Sequence, residues 1–484
     1  MNRRLPLTAI GLTVLLAING CGGGGGSTTE LPVELAPPPV EKATVTVLLT
    51  DAPSDHFDEI NVTISSIQLL GGSDPQTLFE GSETVDLLQL ENFSDLFVVA
   101  DDIDAGTYDK IRLRISDLEL VGLDEDGNVV ESIHPSLPAN GKIDLNPRGS
   151  FEVAGGDHLM LQLDMDARRS IHMTGNGRYR FRPVVFVDVL SDRFDGKNVR
   201  INGEITAIDE ANSTMEVCQQ RPSSSSDDNA LMDGRTAHCV TVVIDDETGI
   251  FDSDGNAAAF VDLQVGDQVT VIGRFAMDDE FGDDGRLFVA DVVTIGPPGT
   301  FERLEGTVLS AVDADNRFDF LIAPGQGFAD GSTISVELQP GTHVVDDDGE
   351  PVGADQIQPD IIALVEGVVA LSGDSTDTLR AAYVVLDLMS EDGMGDDDEI
   401  MLSGEVLTVD VANAGLTLST DDGDRCVRLD DDTGIFEITV GDETSLTNSI
   451  ELGDVIAGSP ADVYGTEDID GCIDASVIIV SPPA

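Results

Sequence analysis

The chain has no tryptophan, and only four tyrosines and five cysteines among its 484 residues. Basic residues are also scarce: 25 Lys and Arg stand against 92 Asp and Glu, a formal charge of −67. Such a balance offers no basic face for phosphate neutralisation, which excludes nucleic acid as a partner. It equally excludes a polybasic membrane-surface protein. The lack of tryptophan removes the commonest stacking platform for sugars. No Gly-x-Ser-x-Gly elbow, Walker loop, HxH or HExxH spacing is present, and no CxxC pair suggests a zinc site. Beyond the first 20 residues no apolar run nears the ~20 residues of a spanning helix; the best, Ile361-Ile362-Ala363-Leu364-Val365, stops at Glu366 and Gly367.

What is present is 41% hydrophobic residues, too many for a disordered acidic chain, and 50 glycines among Val, Ile and Thr. This composition suits short strands and turns. Thr44–Thr50 and Ile60–Leu70 alternate like strands, and further runs occur at Thr84–Leu90, Lys110–Ile115, Leu118–Leu123, Asn128–Ile133, Gly141–Leu145, Leu159–Met165 and Tyr179–Val189. Asp124–Gly127 fits a hairpin turn, and Glu91–Ala100 fits one short helix. The expectation is an all-β protein, with an N-terminal β-sandwich followed by three small β-barrel-like repeats.

The repeats open with Gly203-Glu204-Ile205, Gly306-Thr307-Val308 and Gly404-Glu405-Val406. Each carries a Thr-centred motif: Thr248-Gly249-Ile250-Phe251, Thr342-His343-Val344-Val345 and Thr433-Gly434-Ile435-Phe436. Next come Gly266-Asp267, Asp360-Ile361 and Gly453-Asp454, and then the closing strands Ala290–Ile295, Ala381–Leu386 and Ala475–Val480. The boundaries expected are a signal at 1–20, a Gly/Pro-rich tether at 21–42, the sandwich at 43–192, and repeats at 199–296, 302–388 and 399–482.

Three resemblances add to this reading. Arg3 and Arg4, the apolar run Leu5–Ile18, and Gly20-Cys21 resemble the signal and lipobox of bacterial lipoproteins. That likeness implies an acylated Cys21 as the mature N-terminus, and Gly22 in place of Asp implies the outer membrane, on its periplasmic face or at the cell surface. Leu49-Thr50-Asp51-Ala52-Pro53, the run Ala105-Gly106-Thr107-Tyr108-Asp109-Lys110-Ile111-Arg112, and Phe181-Arg182-Pro183-Val184-Val185 resemble domain-of-unknown-function family 4382. It implies a secreted or lipid-anchored β domain with no assigned activity. The repeats resemble a second family of unknown function, number 5666, whose units look like small OB-type barrels.

With Cys21 lipidated, the other four cysteines fall two to a repeat, so Cys218–Cys239 and Cys426–Cys472 are the expected disulfides in an exported chain. The sequence demands no cofactor. Ca2+ is the cation its acidic turns could hold, with Asp51, Asp55, Asp252, Asp254, Asp313 and Asp315 as candidate ligands; the EF-hand pattern fails, and Asp-Gly is also a plain turn signal. The function expected is a lipid-anchored, non-catalytic binding, adhesion or structural module, its partner an envelope or extracellular polysaccharide or protein. The alternative is an envelope hydrolase with its site around Asp51, Asp55 and His56.

Overall fold

A computed structural model describes residues 42–483 apart from 52–56, 91, 124–128, 148, 174–177, 191–196, 220–237, 276–286, 325, 330, 348, 371–377, 389–399, 421–422, 431–432 and 442–443. Cys21, Asp55, His56 and the expected turn at 124–127 lie outside the described residues. Those that are described form strands almost throughout, with one short α-helix, Ala167–Ser170.

The first segment is a sandwich. One sheet orders Phe186–Leu190, His158–Asp164, Ala43–Thr50 and Ser94–Ile103; the other orders Lys142–Asn146, Lys110–Leu123, Glu59–Leu70 and Gln76–Asp86. Alternation sets the inner faces: Val45, Val47, Leu49, Leu161 and Leu163 meet Ile60, Val62, Ile111 and Leu113 in one core. The segment read as a helix at Glu91–Ala100 is instead the strand Ser94–Ile103, preceded by the 3-10 turn Leu87–Leu90. Its run Leu96-Phe97-Val98-Val99 is apolar on both faces because the strand is covered on both. Phe97 lies in the sandwich core and Leu96 in the core of the first barrel. A continuous apolar run of this kind carries no period to separate strand from helix. Pro183 splits the expected strand Tyr179–Val189 into Tyr179–Phe181 and Phe186–Leu190.

Each repeat closes a ring of five strands in the order 1-2-3-5-4-1, the order of an OB-type barrel. The middle ring runs Glu302–Val308, Arg317–Ile322, Thr333–Asp346, Thr378–Leu386, Ile362–Ala370 and back. Barrel one repeats it with Val199–Asp209, Thr214–Gln219, His238–Val243, Leu287–Ile295 and Gln268–Phe275. Barrel three uses Ile400–Asp410, Gly415–Thr420, Gly423–Arg428, Ile473–Val480 and Pro460–Glu467. Both expected disulfides are present.

The Thr-centred motif is a staple. The hydroxyls of Thr248, Thr342 and Thr433 donate to the carbonyls of Ala290, Ala381 and Ala475 at 2.6–2.7 Å. Each also accepts from a backbone N–H three residues upstream, of Asp245, Gln339 and Asp430. The motif thus ties strand five to the segment after strand three in barrels one and three, and to the second half of the long strand Thr333–Asp346 in barrel two. In strand four, a Cβ on Gly273, Gly367 or Gly465 would lie 2.0–2.2 Å from a carbonyl oxygen of strand five, so only glycine permits the bend there. One repeat assignment needs correction. The residue equivalent to Gly266 and Asp360 is Gly458, not Gly453: the backbone N–H groups of all three donate to strand one, at Ile205, Val308 and Val406, and all three have positive φ. Gly453 lies within the preceding 3-10 turn Leu452–Asp454.

Sandwich and barrels share sheets. Ser94–Ile103 pairs with the first strand of barrel one through Val199↔Ser94 and Arg200↔Asp95. The hairpin strand Ser445–Ser449 of the third repeat pairs in parallel with Lys142–Asn146 of the sandwich. Barrels one and two meet on a further apolar cluster of Phe93, Phe251, Ile272, Val292, Val345 and Tyr383.

Candidate functional site

Strand alternation places three side chains together on the outer face of the sandwich. In the antiparallel pair His158–Asp164 and Phe186–Leu190, Asp164 faces Phe186 and Gln162 faces Asp188. Leu161, Leu163, Val187 and Val189 point into the core, so Asp164, Phe186 and Asp188 point outward. There they meet barrel three. Together the two form a cleft of about 500 Å3 whose far wall is Thr433, Phe436, Thr447, Ser449 and Ser476. The Phe186 and Phe436 rings lie 4.3 Å apart, tilted by 35°. Thr447 is only 3% exposed, and its hydroxyl has no hydrogen-bond partner among the described residues.

Asp188 is itself exposed at the mouth of the cleft, and the partial desolvation of its carboxyl there raises it above its ordinary range. Burial, with the neighbouring Asp166 charge, lifts Asp164 to about 6, against the pull of Lys197 and Arg169. The folded chain therefore holds the Asp164 proton where an unfolded aspartate, near 3.8, has lost it. The folded state binds more protons across that window, so this group's contribution to stability falls as pH rises through it. The displacement corresponds to about 3 kcal/mol. Asp164→Asn is thus expected to be about 3 kcal/mol more stable than wild type at pH 7.5 and nearly equal to it at pH 4, read from urea midpoints. An equal difference at both pH values would contradict this environment for Asp164.

The sequence-predicted residues fall elsewhere. Asp51 is 2% exposed; its Oδ1 accepts the Ala167 backbone N–H at 2.8 Å, and its carbonyl accepts Lys197 Nζ at 2.8 Å. It ties the end of the first strand to the start of the short helix. Asp252 Oδ1 accepts from the N–H groups of Asp254 and Asn256, and Asp313 Oδ1 from those of Asp315 and Arg317. These are turn carboxylates, each closing its own loop, in two different barrels. Glu216 lies beside Cys218 and Cys239 in a group with metal-like spacing, but both sulfurs are spent in the disulfide. Asp164, Asp188 and Phe436 were not singled out from the sequence. The signal available was Asp188 inside the apolar strand Phe186–Leu190; the contribution of Phe436 depends on long-range packing that leaves no local mark.

The other motif residues are also structural ties. Tyr108 is 1% exposed and donates to the carbonyl of Asp104 at 2.7 Å. Arg112 clasps Asp144 with two bonds, of 2.6 and 2.8 Å. Burial alone would raise the Asp144 carboxyl, but Arg112, with Lys110 and Lys142, holds it below its ordinary range. Arg182 reaches Asp462 of barrel three at 2.7 Å. Residues 42–183 match the model of a family described as a domain of unknown function, DUF4382. No curated protein matches the chain.

Proposed function

We propose that the protein is a non-catalytic binding module of the bacterial outer membrane, fastened by an acylated Cys21 after removal of a signal at 1–20. On this reading the tether at 21–42 carries the sandwich, the three barrels belong to family 5666, and the ligand is an extracellular polysaccharide. The observation that carries it is the cleft between sandwich and barrel three. An aromatic pair, two carboxyls and a buried unpartnered hydroxyl converge there, which is the mixed lining a sugar ligand needs. The burial of Asp51 supports a binding role over catalysis at the position first expected for it. Calcium enters as a counter-ion of the acidic surface, since the Oδ1 atoms of Asp252 and Asp313 are committed to backbone N–H groups.

The test is a glycan panel probed with the full chain purified in detergent. Wild type is expected to retain a defined set of glycans, and both Asp188→Ala and Thr447→Val to weaken retention at least ten-fold. Retention of nothing, or retention untouched by both changes, would contradict the reading. A hydrolase remains the second reading because Asp164 and Asp188 are both displaced toward neutral pH within one cleft. Bound glycan recovered shortened, as read by mass spectrometry, would decide for it.

A further inference from the structure

A second cavity, of about 440 Å3, opens where the sandwich, barrel one and barrel two come together. In a chain with 25 basic residues against 92 acidic ones, two of its arginines, Arg200 and Arg303, line this one space. Both guanidiniums lie over the same buried ring, Phe93, at 4.5 and 5.2 Å from its centre. Arg200 is paired with Glu366, while its Nε is buried without a hydrogen-bond partner among the described residues. Arg303 donates from Nη1 to Gln89 Oε1 at 2.6 Å.

The remaining polar groups of the lining add donors. Gln326 Oε1 accepts the Glu305 backbone N–H at 2.9 Å, and Asn202 Oδ1 accepts the Thr270 hydroxyl at 2.7 Å. Each carboxamide has thus spent its oxygen on the protein and has its NH2 group left to offer. Two guanidiniums and two amide NH2 groups around one cavity form a donor set suited to an oxyanion. The carboxylates nearby limit its charge. Glu366 is buried beside Arg200, Asp95 is its partner in the strand register, and Glu302 stands exposed on the rim. Of these carboxylates only Glu366, the strand partner of Arg303, is buried in the lining, and it offsets one of the two guanidinium charges. Asp95 lies outside the lining and Glu302 is screened by solvent, so one positive charge is left, which matches a monoanion and not a dianion. Phe301, Leu304 and Pro297-Pro298 supply an apolar wall for the rest of the ligand.

We propose that this three-way cavity binds a small monocarboxylate with a polar ring, of the uronic acid class, its carboxylate held by Arg200 and Arg303. The site is separate from the cleft at barrel three, and its test does not depend on that cleft's ligand.

The experiment is calorimetric titration of the full chain in detergent, at fixed ionic strength, with glucuronate, glucose and inorganic phosphate. Glucuronate is expected to bind saturably, and glucose and phosphate each at least ten-fold more weakly. Arg303→Met is expected to weaken glucuronate ten-fold or more. Asn202→Asp, at an exposed position on the rim, places a negative charge there and is expected to weaken it several-fold without unfolding the chain, which a circular dichroism melt checks. No saturable binding of glucuronate would overturn the proposal. So would affinity unchanged in both variants, and phosphate binding as tightly as glucuronate would overturn the monoanion assignment.

Discussion

Arg200→Met is expected to destabilise the chain by about 3 kcal/mol, because it removes the paired cation of a buried carboxylate and leaves Glu366 with Arg303, its neighbour in the strand register. Glu366 is 3% exposed and pairs with Arg200 across the junction of barrels one and two. Burial pushes the Arg200 guanidinium down to about 9, with the Arg303 charge adding to the displacement, so the site is already costly to charge. The repeat shows how the position can be refilled. Glu366 precedes the strand-four glycine Gly367, just as Ile272 precedes Gly273 and Tyr464 precedes Gly465. Barrels one and three thus place an apolar or aromatic residue where barrel two has a carboxylate. Arg200→Met combined with Glu366→Ile is therefore expected to regain most of the lost stability. Urea midpoints of the wild type, the single and the double variant check this. A single variant within 0.5 kcal/mol of wild type, or a double variant as weak as the single, would show that the ion pair does not join the barrels as described.

The second large effect is expected from Cys426→Ser with Cys472→Ser. That bridge closes 46 residues and joins the third strand of barrel three to the residue just before its fifth. Chain-entropy arithmetic for such a loop gives about 4 kcal/mol. The bridge Cys218–Cys239 closes 21 residues and gives about 3 kcal/mol by the same relation. Thermal melts by circular dichroism should show barrel three unfolding well below the wild type in the first variant, and the wild type should match it once reduced. Coincident melts for the oxidised wild type and the variant would mean that the bridge adds nothing to the folded ring.

Much of this architecture was legible because it follows from local periodicity. Alternation in Glu59–Leu70 marked a half-buried strand, and the thrice-recurring Thr motif marked equivalent points of three rings. The cysteine pairs followed from their distribution over the repeats. Legibility ended where packing overrides local pattern. Ser94–Ile103 is apolar on both faces and so lost its period. Gly453 and Gly458 compete in sequence, and only the hydrogen bond to Val406 decides between them. The shared sheets join Ser94 to Val199 and Leu145 to Thr447, pairings between strands far apart in sequence that leave no motif. Both cavities lie on such seams. That is why no motif within a single segment marks Asp188, Thr447, Arg200 or Arg303.

The family motifs carry a related lesson. Asp51, Tyr108 and Arg112 looked like candidates for chemistry or for marks of descent, and in the structure each fixes one element to another. Acidic turns behave likewise: Asp252, Asp313, Asp346 and Asp468 all accept backbone N–H groups of their own loops. These four carboxylates thus serve the turns in which a short strand reverses.

On the proposed reading these sheets are held to a membrane by a fatty-acylated Cys21. Metabolic labelling with radioactive palmitate, followed by envelope fractionation of wild type and Cys21→Ser, tests it most directly. Label and protein are expected together in the outer-membrane fraction for wild type, and unlabelled protein absent from that fraction for the variant. Unlabelled wild-type protein, or a variant still recovered in the outer-membrane fraction, would contradict it.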